Sequence, residues 1–190
     1  MITCGQISAN LVMANCNTST PAVKGRIYLM NFDSIDHDGS TLEDGVLSAL
    51  VLKNNAKGFA WETLDKGVEV NSPLVTGTYR NAFEHNLVFR VFDKTQDIKT
   101  QINALAQGRV VAIVENRSNA NAETHYEVYG YDSGLVMTAL DAPSTDGDGV
   151  IYTVTLNSDE TSREGQLPLS FFAETLEATE AALAALITAE

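Results

Sequence analysis

The sequence predicts a mainly β protein of the α+β kind, with one helix in its second half and another at its C-terminus. Three observations support this. Short runs rich in Val, Ile, Tyr and Phe recur along the chain, and several alternate apolar with polar residues, the two-residue period of a half-buried strand. The run Arg109-Val110-Val111-Ala112-Ile113-Val114-Glu115 is almost unbroken in its apolar character, as expected of a central strand. Helical patterning is confined to about 95–107 and to 173–190.

The elements follow in order. Residues 1–20 mix Ser, Thr and Asn with isolated apolar residues and read as an N-terminal arm or a loose first strand. Arg26 to Phe32 is a strand, and Asp33 to Asp44 reads as a polar, acidic loop (about 33–45). Val46 to Leu52 is a short apolar run, and Phe59 to Thr63 a third strand after a turn at Gly58. Residues 63–83 are irregular, with turn signals at Lys66-Gly67, Asn71-Ser72-Pro73 and Thr76-Gly77. They read as a long hairpin or an extended loop projecting from the body, and loops of this length in compact domains usually have a function. In the strand from Asn86, Leu87, Phe89 and Val91 alternate with Val88, Arg90 and Phe92, so both faces are expected to be covered, one by the core and the other by a helix or a neighbouring subunit. Thr95 caps the helix that follows, Ile98, Ile102 and Leu105 form its apolar stripe, and Gly108 ends it.

After the central strand, Tyr126 to Leu135 reads as a hairpin turning at Asp132-Ser133-Gly134. In the next strand Val150, Tyr152, Val154 and Leu156 share one face, and Ile151, Thr153 and Thr155 the wetter one. The tail is rich in Ala, Leu and Glu. Leu176, Leu183, Leu186 and Ile187 make an approximate stripe, and Glu174, Glu177 and Glu180 sit early in the helix, where its dipole favours them. A helix of this length is marginal alone and needs a surface to dock on, its own domain or a neighbour's. The organisation is therefore an arm (1–20), a domain (21–172) and a C-terminal helix (173–190).

Composition narrows the function. The 190 residues are 44% hydrophobic, enough for one domain with a sizeable core. Twelve Lys and Arg against 25 Asp and Glu leave a net charge of −13, the wrong sign for holding nucleic acid or an anionic membrane. No segment reaches the ~20 apolar residues of a membrane-spanning helix. No basic residue precedes Lys24, and Asn10, Asn15 and Asn17 interrupt the early apolar positions, so no secretory signal is expected. Cys4 and Cys16 lack the neighbours of a zinc site. They are either two reduced thiols or a disulfide closing an N-terminal hairpin.

No catalytic, cofactor or metal constellation emerges. Phosphate-loop, dinucleotide-binding and nucleophile-elbow motifs are absent. His37 lies among Asp33, Asp36 and Asp38, a pattern open to metal or base chemistry but expected to be a solvated acidic loop. His85, next to Glu84, and the isolated His125 are expected at the sheet rim. Asp141, Asp146 and Asp148 with Gly147 and Gly149 resemble part of a calcium loop, but strand residues stand where its closing Glu would be. Trp61, Tyr126, Tyr129 and Tyr131 are of a kind that stacks on bases or sugars. At strand positions they are expected in the core or an interface.

Strong strands without chemistry point to a protein whose product is a surface. The strings Ile102-Asn103-Ala104-Leu105-Ala106-Gln107-Gly108 running into Arg109–Asn116, then Tyr126 to Leu135, then Thr155 to Glu160 with Leu167-Pro168-Leu169, resemble bacteriophage tail tube proteins and their relatives in contractile injection systems. In wording they look most like structural proteins of phages and prophages from gut Bacteroidetes. The resemblance covers roughly the C-terminal half. It implies an antiparallel β-barrel or sandwich with a flanking helix, in subunits that form hexameric rings stacked into a tube. Its partners would be copies of itself and other tail or neck proteins, with DNA only as non-sticking cargo, and its place the tail of a virion made in the host cytoplasm. The acidic balance agrees, since a carboxylate-lined lumen repels phosphate. On this reading loop 33–45 or 63–83 reaches the next ring. The alternatives are a capsid decoration, neck or connector-ring protein, or, from another class, a carbohydrate-binding β-sandwich or a small hydrolase. The last two require an export signal and a polar cleft, neither apparent in the sequence.

Overall fold

The computed structural model describes residues 23–53, 56–64, 66–116, 122–143, 147, 149–159, 161 and 163–188. The expected N-terminal arm with Cys4 and Cys16, and Asp146 and Asp148 of the acidic turn, lie outside the described residues. The fold is mainly β with two helices. In chain order the elements are β1 (Val23–Asn31), β2 (Ile35–Glu43), β3 (Val46–Leu52), β4 (Phe59–Glu62), β5 (Val68–Asn71), β6 (Leu74–Thr76), β7 (Asn81–Phe83), β8 (Asn86–Val91), α1 (Gln96–Leu105), β9 (Arg109–Asn116), β10 (Tyr126–Tyr129), β11 (Leu135–Asp141), β12 (Tyr152–Ser158), β13 (Leu169–Phe171) and α2 (Leu176–Thr188).

Strand β9 organises the molecule, as its apolar sequence requires. One edge pairs with β1, whose other edge pairs with β4. The opposite edge is shared: β10 pairs along Ala112–Glu115, and β11 takes over at Arg109 and Val110. Two wings leave from these strands. Beyond β10 come β13, β3 and β2, and beyond β11 come β12, β8 and β5. The sheet is open, so the arrangement is a sandwich and not a closed barrel. One pair, β3 with β13, is parallel within an otherwise antiparallel sheet.

Alternation along β1 and β9 divides two cores. Ile27, Leu29, Val110, Ala112 and Val114 face the wing of β5, β8, β11 and β12, with Ile102 and Leu105 of α1. Tyr28, Met30, Val111 and Ile113 face β2, β3 and β13, with Leu183 of α2. Helix α1 begins at the expected cap, the Thr95 hydroxyl accepting from the Ile98 amide at 3.2 Å. Helix α2 docks on its own domain through the expected stripe of Leu176, Leu183, Leu186 and Ile187. Thr175 caps its start, buried Thr179 accepts from the Ala173 amide at 2.9 Å, and the Leu186 carbonyl accepts from Gly58 at 2.8 Å.

Three expectations are corrected. Most of the acidic loop is strand β2, joined to β3 by a two-residue turn in which Asp44 (φ 48°) and Gly45 (φ 84°) are both left-handed. Asp36–Ser40 bulges from the ladder, held where the Asp36 carboxylate accepts from the Gly39 amide at 3.1 Å, and the register shifts again between Thr41 and Leu42. Region 63–83 splits: β5 is part of the main sheet, and only β6–β7 forms a separate two-stranded hairpin. Tyr126 to Leu135 turns where expected, but β10 and β11 do not pair with each other; both lie along β9. The corner needs glycine at Gly130 (φ 75°), where a Cβ would stand 3.0 Å from the Leu135 nitrogen and 2.7 Å from its Cγ. The second face of β8, expected to be covered by a helix or a neighbouring subunit, is partly covered within this chain. Leu87 and Phe89 are buried, whereas Val88 and Arg90 are half-exposed, and Arg90 pairs with Glu69 at 2.8 Å.

Candidate functional site

The residues singled out from the sequence do not converge. Among the described residues no group of three or more His, Cys, Asp or Glu side chains could hold a metal ion. No helix there is long and apolar enough to cross a membrane. His37 is exposed on the β2 bulge, its ring against Phe32 (5.5 Å) and Tyr131 (4.8 Å). Asp141 is exposed at the end of β11, paired in register with Thr153. Tyr126, Tyr129 and Tyr131 are buried as expected. His85 and His125 are not at a rim, because both are buried and hydrogen-bonded.

His85 belongs to a polar knot that holds the branch of the sheet. Its Nδ1 accepts from the Gly130 amide at 3.1 Å, which places the proton on Nε2, 3.0 Å from the Gln166 carbonyl. The Ser158 hydroxyl accepts from the His85 amide at 2.8 Å. Glu164, 2% exposed, accepts from the Asp132 and Ser133 amides at 3.1 and 3.0 Å. Ser, His and Glu thus meet in one place, but not as a nucleophilic triad. The serine oxygen touches the histidine backbone instead of its ring, and both ring nitrogens and the carboxylate are occupied by backbone groups. The chemistry left to these side chains is to satisfy backbone amides at a sharp corner. No local pattern marks His85 or Glu164 for this role, since their partners are distant in the chain.

Burial lowers the His85 imidazole to about 4. The unfolded chain therefore takes up this proton first, near the ordinary value of about 6.5. The stability contributed here is complete above about pH 6.5 and is lost as pH falls through about 4, a span of about 3 kcal/mol. Burial raises the Glu164 carboxyl, which gives the opposite slope just above the ordinary carboxylate range. Urea unfolding at a series of pH values is expected to show the histidine slope in the native protein and to lose it in His85→Gln.

Two hollows flank the β1–β9 ladder. One, about 340 Å³, lies against α2 and is lined by Arg26, Tyr28, Glu115, Tyr126, Glu180 and Ile187. Glu115 is held by His125 Nε2 at 3.0 Å. Burial, then Glu115, Tyr28 and Glu180, hold the Tyr126 phenol protonated. This is a wall of mixed charge, and no Ser, Thr or Cys is among the described residues that line it. The other hollow lies between β4 and α1 on either side of Trp61 and is largely apolar. No family model, curated protein or solved structure matches this chain.

Proposed function

We propose that this chain is a virion structural protein, a tail tube subunit that forms stacked hexameric rings around an acidic lumen for DNA. The observation that carries the reading is the unfinished sheet. Among the described residues β2, β4 and β5 each present an unpaired edge, and β6–β7 stands apart from the main sheet. Open edges attract further strands, and a native protein that keeps several of them needs charges or partners to cover them. Polar β2 manages its edge with Asp36, Asp38 and Glu43; β4 presents Phe59, 42% exposed, and Ala60. The net charge of −13 supports passage of DNA over its retention. The buried polar knot supports a structural role, as its reactive side chains are spent on backbone.

Negative-stain electron microscopy of concentrated protein tests this. Rings or tubes with a central hole and six-fold symmetry are expected. A twelve-fold ring would move the chain to the neck or connector, and a species that sediments as a monomer at the highest attainable concentration would end the proposal.

A further inference from the structure

We propose that the tip of the β6–β7 hairpin of one copy docks into the hollow between β4 and α1 of the next. The inference rests on the self-assembly reading above and names the surfaces it uses.

The hairpin has a fixed base and a bare tip. Phe83 and Glu164 exchange backbone hydrogen bonds at 2.8 and 3.1 Å, and the Glu84 amide donates to the Pro73 carbonyl at 3.0 Å. At the far end the Gly77 amide closes the turn on the Arg80 carbonyl at 3.1 Å. Tyr79 at this tip is 98% exposed, with Arg80 beside it and Leu74 exposed on the same hairpin. A lone exposed tyrosine needs no explanation. Its counterpart elsewhere on the same chain is what gives it meaning.

That counterpart is a pair of adjoining depressions, about 250 and 180 Å³, which share Trp61 and Gln101. The larger is floored by Phe89, Val91, Ile98 and Ile102, and two carboxylates line it: Glu62, which is paired with Arg26 of the same chain, and Asp97. An aromatic ring beside a cation meets an apolar slot beside acids. Tyrosine is well suited to such a slot, because it brings a large rigid apolar body with a polar end. The charges match as well: Arg80 is basic where Asp97 lines the slot, in a chain that is acidic overall. Because tip and slot are different surfaces of one chain, each copy uses its tip on one neighbour and its slot on another. Such a contact closes into a ring or runs on as a filament.

Two substitutions separate the surfaces without touching the core. Tyr79→Ala removes the tip. Gln101→Trp fills the slot from an exposed position on α1 that borders both depressions. Each is expected to weaken self-association by at least about 30-fold in sedimentation velocity, the loss of one interface anchor, with an unchanged circular dichroism spectrum. Mixed in equal amounts, the two variants are expected to form a one-to-one dimer through the intact slot of the first and the intact tip of the second. Wild-type protein that stays monomeric would overturn both this inference and the function it rests on. Wild-type assembly matched by both variants, or weakened variants that gain nothing on mixing, would overturn the docking alone and leave self-assembly standing.

Discussion

Replacing Phe171 with alanine is expected to cost about 3–5 kcal/mol, a large share of the stability of an ordinary domain. Phe171 is fully buried in the shortest strand of its wing, between β3 and β10, where its register partner is Leu47. Its ring is one of the largest wholly enclosed side chains. It shares a core with Tyr28, Met30, Val111, Ile113 and Leu183, so the void would open among elements from both ends of the chain. The backbone is pinned, with the Phe172 amide donating to the Leu47 carbonyl at 3.1 Å, so collapse around the void is restricted. The control is Phe59→Ala, which truncates an aromatic that is already 42% exposed and is expected to cost about 1 kcal/mol or less. Urea unfolding followed by tryptophan fluorescence and by circular dichroism reads both. Trp61 packs on the opposite core, so the two probes also report whether the wings unfold together. Coincident transitions are expected, because the β1–β9 ladder is a wall of both cores. A biphasic transition in Phe171→Ala would mean that the wings are separate cooperative units.

The parts of this fold that were legible in the sequence are those whose pattern is local. β9 is apolar from Val110 to Val114 because it is covered on both faces, and α1 announces itself by a capping threonine and a stripe at helical spacing. Helix α2 is legible for the same reason. Strand β2 was not. An edge strand with one buried residue, Ile35, has no alternation to detect, and its bulge breaks the period again. The cue that was present, Asp44-Gly45 ahead of an apolar run, is a hairpin signal lost in an acidic stretch. The branch at β10 and β11 had the right turn and the wrong pairing. Turn chemistry fixes where a chain reverses; which strand it then joins depends on β9, upstream of both. The groove beside Trp61 was invisible for a similar reason, since β4 and α1 meet only in the folded chain.

Glu164→Ala is expected to be the most damaging polar substitution, at about 3 kcal/mol, because it abandons two part-buried amides at once. The carboxylate reaches Asp132 and Ser133 together, in the turn where the chain passes from β10 to β11. Loss of those acceptors loosens the corner on which one wing is hung, although the backbone pairing of Glu164 with Phe83 survives. Glu164→Gln separates charge from hydrogen bonding. Its oxygen can serve one amide, while its NH2 faces the other donor, so about half the loss is expected to return. Burial raises the pKa of the native carboxyl, so the wild-type protein gives up stability as pH rises through that titration, and neither variant does. The difference in unfolding free energy between wild type and Glu164→Gln is therefore expected to be largest in acid and to narrow toward neutral pH. If the gap were independent of pH, the carboxylate would not be held out of water as its 2% exposure implies, and the corner would owe its shape to its glycines alone.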